Sequence, residues 1–216
     1  MLIEILRLAA HRNGPRRTNP AGASSQRPKV ADMTGKEFMN TVANGRMDIL
    51  EILLSILEHT RSEYCVIGGL AVNAYAEPVV SLDIDLIVAT EKMDAVCEAA
   101  KAKGFTVHRF EHSVNLSCAE SDLRIQLQTD SRYQEFISRS GVSQVLGYTM
   151  RVADLEDVLK GKVWAYLDET RRRSKRQKDL ADIIRIIETY PALEERLPAC
   201  LRKEIQRGMT NDRSAQ

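Results

Sequence analysis

Asp83 and Asp85 stand two residues apart in Ser-Leu-Asp-Ile-Asp-Leu-Ile-Val, residues 81–88, where Leu82, Ile84 and Leu86 alternate with them. On a strand, alternate side chains share a face, so the two carboxylates would project together roughly 6–7 Å apart. Buried like charges at that range repel, and neither is easily kept ionised away from water. A divalent cation between them removes both problems, and Mg²⁺ favours hard oxygen ligands that it shares with substrate phosphates. Just upstream, Tyr64-Cys-Val-Ile67 is a short apolar run suited to a sheet, and Gly68-Gly69 follows it. Those glycines permit a turn with positive φ and leave backbone amides bare. A helix over Leu70–Ala76, stopped by Pro78, would complete a corner suited to phosphate. An isolated Asp-x-Asp is a common chance match, and its acids are more often solvated at a strand end. With Gly-Gly and a helix in front of it, the metal and phosphate reading is preferred.

Gly-Gly, helix and Asp-x-Asp in this order resemble the nucleotidyltransferase fold of the DNA polymerase β superfamily. Within it, the chain is most similar to the AbiEii-type nucleotidyltransferase toxins of bacterial toxin–antitoxin pairs. A second element carries the likeness further: Lys162 in Lys-Gly-Lys-Val-Trp, followed by Lys178-Asp179-Leu-Ala-Asp182. The resemblance spans roughly residues 64–188. It implies an α+β protein with a small mixed sheet flanked by helices and followed by a C-terminal helical region. It also implies Asp83, Asp85, Lys162 and Asp179 as catalytic residues, with Asp83 and Asp85 holding Mg²⁺. Gly68, Gly69, Lys162 and Lys178 would bind an NTP. Lys162 would act as a fixed point charge beside the β and γ oxygens and the departing pyrophosphate. Asp179 would position Lys162 or the incoming hydroxyl. In the superfamily a third carboxylate comes from a neighbouring strand, and its place here is Gln126, a neutral amide. Asp122 and Asp130 share its parity but lie four residues off, about 13 Å along a strand.

Six of the eight residues in 171–178 are basic. Arg171, Arg172, Arg173, Lys175 and Arg176 form an expected nucleic-acid footprint, gripping phosphates without sequence preference and with strong salt dependence. The bland alternative is a solvated helix junction. The family suggests tRNA as acceptor and an antitoxin as protein partner. The rival readings are transfer to a small molecule or a protein side chain, and a nucleotide-binding module that has lost turnover, which Gln126 favours. Gly35-Lys36 and Gly161-Lys162 lack the glycine and Ser/Thr spacing of a P-loop, and no nucleophile elbow is present.

The 216 residues are 44% hydrophobic and 28% charged, as in an ordinary globular protein, and the net charge of +1 identifies no partner. Four scattered cysteines without a Cys-x-x-Cys pair read as reduced thiols of a cytoplasmic protein. No apolar run approaches the length of a membrane span, and Glu4 and Arg7 argue against a signal segment in residues 1–10. The expected division is a flexible arm over residues 1–32, a nucleotidyltransferase core over 33–152, a helical region over 153–207 and a frayed tail over 208–216. The arm would hold a short helix at Leu2–Ala10 and an unfolded Pro/Gly/Arg stretch, His11–Arg27.

The elements that must position the candidate residues read as follows. Thr34-Gly-Lys-Glu37 is a capping box for a helix to about Val42, and an apolar stripe predicts another over Met47–His59. Thr90 would cap a helix over Glu91–Lys103, with Gly104 beyond its end. Phe105–Phe110 and Ser113–Cys118 alternate as a strand pair, and Asp122–Gln128 as a third strand. His108 and His112 flank the turn between the first two and have no further metal-ligand partners in sequence. A helix is expected over Ser131–Arg139 and a hairpin over Val145–Val152 turning near Gly147. Helices follow from Asp154 to Glu169, from Asp179 to about Pro191, and over Leu193–Arg207.

Overall fold

The computed structural model describes residues 33–213, with side chains through residue 207. The expectations for residues 1–32 and for the last three residues lie outside it. Helix α1 (Gly35–Val42) starts at the expected capping box, in which Thr34 Oγ1 accepts from Glu37 N at 3.3 Å and Glu37 Oε2 accepts from Thr34 N at 2.8 Å. Helix α2 (Ile49–His59) is capped by Asp48 and buries Leu50, Leu53 and Leu57. Strand β1 (Tyr64–Ile67) leads straight into α3 (Gly68–Val72), and β2 (Asp83–Val88) follows after a loop. A 3₁₀ turn at Thr90–Lys92 precedes α4 (Met93–Ala102), so Thr90 is not the helix cap. Strands β3 (Thr106–Arg109), β4 (Ser113–Cys118) and β5 (Ser121–Gln128) come next, then α5 (Gln134–Arg139). The hairpin β6 (Gly141–Val145) and β7 (Tyr148–Val152) turns through Leu146 and Gly147, both at positive φ. That two-residue turn matches the strand twist, and glycine suits its second position. Helices α6 (Leu155–Leu167), α7 (Arg173–Thr189) and α8 (Ala199–Arg213) complete the described residues, so a helix extends past Gly208, into the expected frayed tail.

Among the described residues the strands form one sheet in the order β3-β4-β5-β2-β1-β7-β6. The pairs β2–β5 and β1–β7 are parallel and the others antiparallel, which makes the sheet mixed, as expected. Its central strands carry the core: Val66, Ile84, Leu86, Ile87, Ile125, Leu127 and Val152 have no exposed surface. Each such side chain contributes about 1.5–3 kcal/mol on burial. That fixes the register of β2, because a one-residue slip would drive both aspartates into the core.

Two elements differ from the sequence expectation in ways that matter for the site. Helix α3 ends at Val72 rather than Ala76. The Asn73 side chain accepts from Val79 N at 2.9 Å and donates to Val79 O at 2.8 Å, closing the loop well before Pro78 can act. Helix α7 begins at Arg173, six residues before Asp179. From Arg173 on, the basic run is therefore not a junction but the first turns of a helix, with Arg171 and Arg172 just before it. Arg, Lys and Gln are good helix formers, and their charge does not interrupt the hydrogen-bond ladder.

Candidate active site

Alternation on β2 places Ile84 and Leu86 in the core and turns Asp83 and Asp85 to the opposite face, into a cleft of about 260 Å³. Antiparallel pairing sets Ile67 opposite Asp85, so the chain leaves β1 beside that carboxylate. Gly68 sits there at φ +69°, and a Cβ on it would run into the Asp85 carboxylate. Glycine is thus required both for the backbone angle and for the room. Gly69 faces Ser81 and Asp182 Oδ2, the latter 3.8 Å from where its Cβ would stand.

On the other side of β2, parallel pairing with β5 places Arg124 opposite Asp83 and Gln126 opposite Asp85. Gln126 therefore stands beside the Asp-x-Asp pair, at the position read from the sequence. Asp122 and Asp130 lie elsewhere, the first accepting from Asn44 at 2.6 Å and the second paired with Arg132.

The two aspartates differ electrostatically. Asp83 is held by Lys175 at 2.7 Å and Arg124 at 2.9 Å. Burial opposes its ionisation, but Lys175, then Arg124 and Lys178, outweigh that and keep its pKa below the usual carboxylate value. Asp85 has no hydrogen bond or ion pair among the described residues. Burial raises its pKa and the Asp83 charge adds to the effect, against a partial offset from Lys162.

Helix α6 supplies Lys162, 6% exposed, and α7 supplies the acids that neutralise it. Its Nζ lies 3.0 Å from Asp179 Oδ1 and 2.6 Å from Asp182 Oδ2. Desolvation works against its charge, but Asp182 and Asp179 prevail and raise its pKa. Asp179, 2% exposed, also receives Arg171 at 2.8 Å. It is thus a buried member of the second helical turn and not a charge at the helix N-terminus. Positions 175, 178, 182 and 185 form one stripe of α7, whose first two members line the cleft, and Arg171 joins them from just before the helix. Lys178 donates to Ser81 Oγ at 3.0 Å, and Ser81 in turn bonds the backbone of Asp83.

The structure thus brings Gly68, Gly69, Asp83, Asp85, Lys162, Arg171, Lys175, Lys178 and Asp179 around one cleft. Arg172 and Arg173 stay on the exposed surface at the start of α7. Arg176 turns away, donating to Tyr166 O at 2.7 Å and lying over the Tyr166 ring. The basic run therefore splits three ways, and only part of it forms an outer surface. His112 is exposed beside Glu111, away from the cleft.

Several cleft residues had no role in the sequence reading. Arg124 shares a face with Gln126, a parity that is visible in sequence, but its pairing with Asp83 depends on strand register. Asp182 lies in the Lys-Asp-x-x-Asp motif, and its spacing from Asp179 already places both on one helix face. Arg185 bonds Asp182 at 2.8 Å and Asn73 at 3.0 Å, tying α7 to the loop before β2. Nothing local announces that contact. Tyr133 and Phe136 give the cleft an apolar wall.

Two adjacent carboxylates, one of them unpartnered, and a neutral amide oxygen make a donor set that fits a hard divalent cation. Among the described residues no group of three or more His, Cys, Asp or Glu converges, so further ligands would come from phosphate oxygens or water.

A mixed sheet carrying Asp-x-Asp beside a Gly-Gly turn, closed by a lysine-bearing helix pair, defines a nucleotidyltransferase. The family model described as "Nucleotidyl transferase AbiEii toxin, Type IV TA system" matches residues 53–215, and the chain belongs to that family. No curated protein matches the chain. Among solved structures, ANT(2")-Ia in complex with adenylyl-2"-tobramycin is 15% identical, covering 74% of this chain and 97% of its own, with a TM-score of 0.53. The lincosamide antibiotic adenylyltransferase LnuA is 13% identical over 66% of this chain and 99% of its own, at 0.48. An antigenic nucleotidyltransferase-like protein from Paracoccidioides brasiliensis is 16% identical over 82% of this chain and 89% of its own, at 0.47. At these identities the first of them supports the fold alone. Among the described residues no helix is long and apolar enough to cross a membrane.

Proposed function

We propose that this nucleotidyltransferase toxin moves an NMP from an NTP to a hydroxyl of RNA, with tRNA as acceptor, in a Mg²⁺-dependent reaction in the cytoplasm, where a cognate antitoxin restrains it. One observation carries the catalytic part. Asp85 stands without a partner against Gly68, next to Asp83, while Lys162 is fixed on the facing wall between Asp179 and Asp182. Asp83 and Asp85 would hold the cation, with Gln126 alongside. Bound Mg²⁺ supplies the charge that stabilises the attacking and leaving oxygens. Gly68 and Gly69 keep side chains out of the way where the polyphosphate enters. Lys162 presents a positioned charge whose geometry is set before substrate arrives. Lys178, tied to Ser81, can follow the outer phosphates. The acceptor hydroxyl oxygen then bonds to the α-phosphorus, its proton passing to water, as the bond to the α–β bridging oxygen breaks, and pyrophosphate leaves.

Incubation with each α-labelled NTP and total tRNA should label RNA, while protein and aminoglycoside acceptors added in parallel stay unlabelled. Label confined to protein or small molecule would overturn the RNA part. Arg172 and Arg173 are exposed cations of the basic run that do not line the cleft, so the Arg172→Ala/Arg173→Ala double variant should weaken tRNA binding about tenfold. It should also reduce the slope of log affinity against log salt by about 1–2. An unchanged slope would remove this surface from the footprint.

Gln126 supports the second reading, a binding module. Under the catalytic reading, Gln126→Asp adds a charged oxygen next to Asp85. It should lower the Mg²⁺ concentration for half-maximal rate by roughly three- to tenfold. A wild-type protein that binds NTP without releasing pyrophosphate, and gains turnover on Gln126→Asp, would establish the binding module instead.

A further inference from the structure

We infer that Lys175 is a triphosphate-binding residue that occupies Asp83 until nucleotide and cation enter together. This rests on the nucleotidyl-transfer reading and assigns Lys175 away from the RNA surface to which its place in the basic run pointed. Lys175 Nζ is 2.7 Å from Asp83 Oδ2, and Arg124 Nε is 2.9 Å from Asp83 Oδ1, so both oxygens of that carboxylate are engaged. A divalent cation cannot share a carboxylate oxygen with an ammonium at that distance without strong repulsion. Either cation must leave Asp83 for metal to bind.

The surroundings determine where each goes. The Arg124 side chain is 69% exposed and can turn into water. Lys175 is more enclosed, at 35%, on a helix whose next turn brings Lys178 and Asp179 to the same cleft. Of the other acids there, Asp85 would itself hold the cation, while Asp179 is taken by Lys162 and Arg171 and Asp182 by Lys162 and Arg185. The polyphosphate that accompanies the cation is the anion left for Lys175 to meet. Its flexible four-carbon stem allows that move while the helix stays in place. Cation and polyphosphate therefore bind with positive coupling, and by linkage each strengthens the other. Metal alone on the Oδ2 side of Asp83 binds weakly because it breaks the Lys175–Asp83 pair without replacing it.

The test uses the full-length protein and two base-independent probes. Mn²⁺ alone is followed by the loss of its free paramagnetic resonance signal. Mn²⁺–tripolyphosphate, at excess Mn²⁺, is followed by calorimetry. Lys175→Met should bind Mn²⁺ alone about fivefold tighter, the size expected for losing one partly exposed ion pair. The same variant should bind Mn²⁺–tripolyphosphate about tenfold weaker. Lys175→Gln should shift both values in the same two directions, which guards against a packing effect of methionine. Shifts of opposite sign are not expected from a merely structural lysine or from an RNA contact. Unchanged values, or two shifts of the same sign, would overturn the assignment, as would weaker tRNA binding with both metal values intact. Opposite shifts without label transfer to RNA would sustain it while the acceptor reading falls. Absence of Mn²⁺ binding in either arm would overturn both.

Discussion

Asp85→Asn should reduce nucleotidyl transfer by at least about a thousandfold and yet stabilise the metal-free protein at neutral pH. The first effect follows from removing half of the paired carboxylates, since an amide offers neither full charge nor a second equivalent oxygen. The second follows from the sign of its titration. Burial and the Asp83 charge raise the Asp85 pKa in the folded chain above its unfolded value. A raised pKa means that the stabilisation is present below the unfolded carboxylate value and is lost as pH rises through the folded pKa. At neutral pH and in chelator, the Asp85 carboxyl is therefore a cost that asparagine removes. Each kcal/mol so relieved raises Tm by about 2–4 °C for a domain of this size. The gain should vanish at acid pH, where both side chains are neutral. Asp83 behaves oppositely: its lowered pKa gives stability that is present above the unfolded value and lost as pH falls through the folded one. Thermal melts of Asp85→Asn and of Asp83→Asn, each against the wild-type protein, from acid to neutral pH read both effects. A lower Tm for Asp85→Asn at neutral pH would contradict the assignment of charge in the cleft.

Lys162→Met should abolish transfer and also destabilise the fold, by roughly 3–5 kcal/mol. Removing one member of a buried ion cluster leaves the others charged and unpaired. Here Asp179 keeps Arg171 and Asp182 keeps Arg185, which places the loss toward the lower end of that range. A drop in Tm of about 10 °C is expected. The double variant Lys162→Met/Asp182→Asn separates the two roles. It should recover part of the stability, because the uncompensated carboxylate is gone, while activity stays lost. Recovery of activity in the double variant would show that Lys162 serves packing alone. Chemical denaturation and label transfer on the same preparations measure both quantities.

The β1-turn-β2 unit was legible because each of its signals is local. The apolar run, the glycine pair and the strict alternation around Asp83 and Asp85 all act within a few residues. Lys162, Asp179 and Asp182 were legible by helical spacing together with family resemblance. What escaped was set by distance in the fold. The Arg124–Asp83 pair depends on β5 lying parallel to β2 in one register, and Arg185–Asn73 joins residues 112 positions apart. The start of α7 was misread because a dense run of like charge resembles a linker. In the folded chain Asp83 and Asp179 neutralise that run, and its helix propensity prevails. The same contacts divided the basic run, sending Arg171, Lys175 and Lys178 into the cleft and leaving Arg172 and Arg173 outside.

Crystals of the protein grown with Mn²⁺ and a non-hydrolysable NTP analogue would place the metal by its anomalous scattering. The account predicts a peak between the Asp83 and Asp85 carboxylates, within about 2.5 Å of an oxygen from each. It also predicts the polyphosphate lying along Gly68 and Gly69, with Lys162 still between Asp179 and Asp182. A peak elsewhere, or a polyphosphate bound outside this cleft with Asp85 untouched, would contradict it.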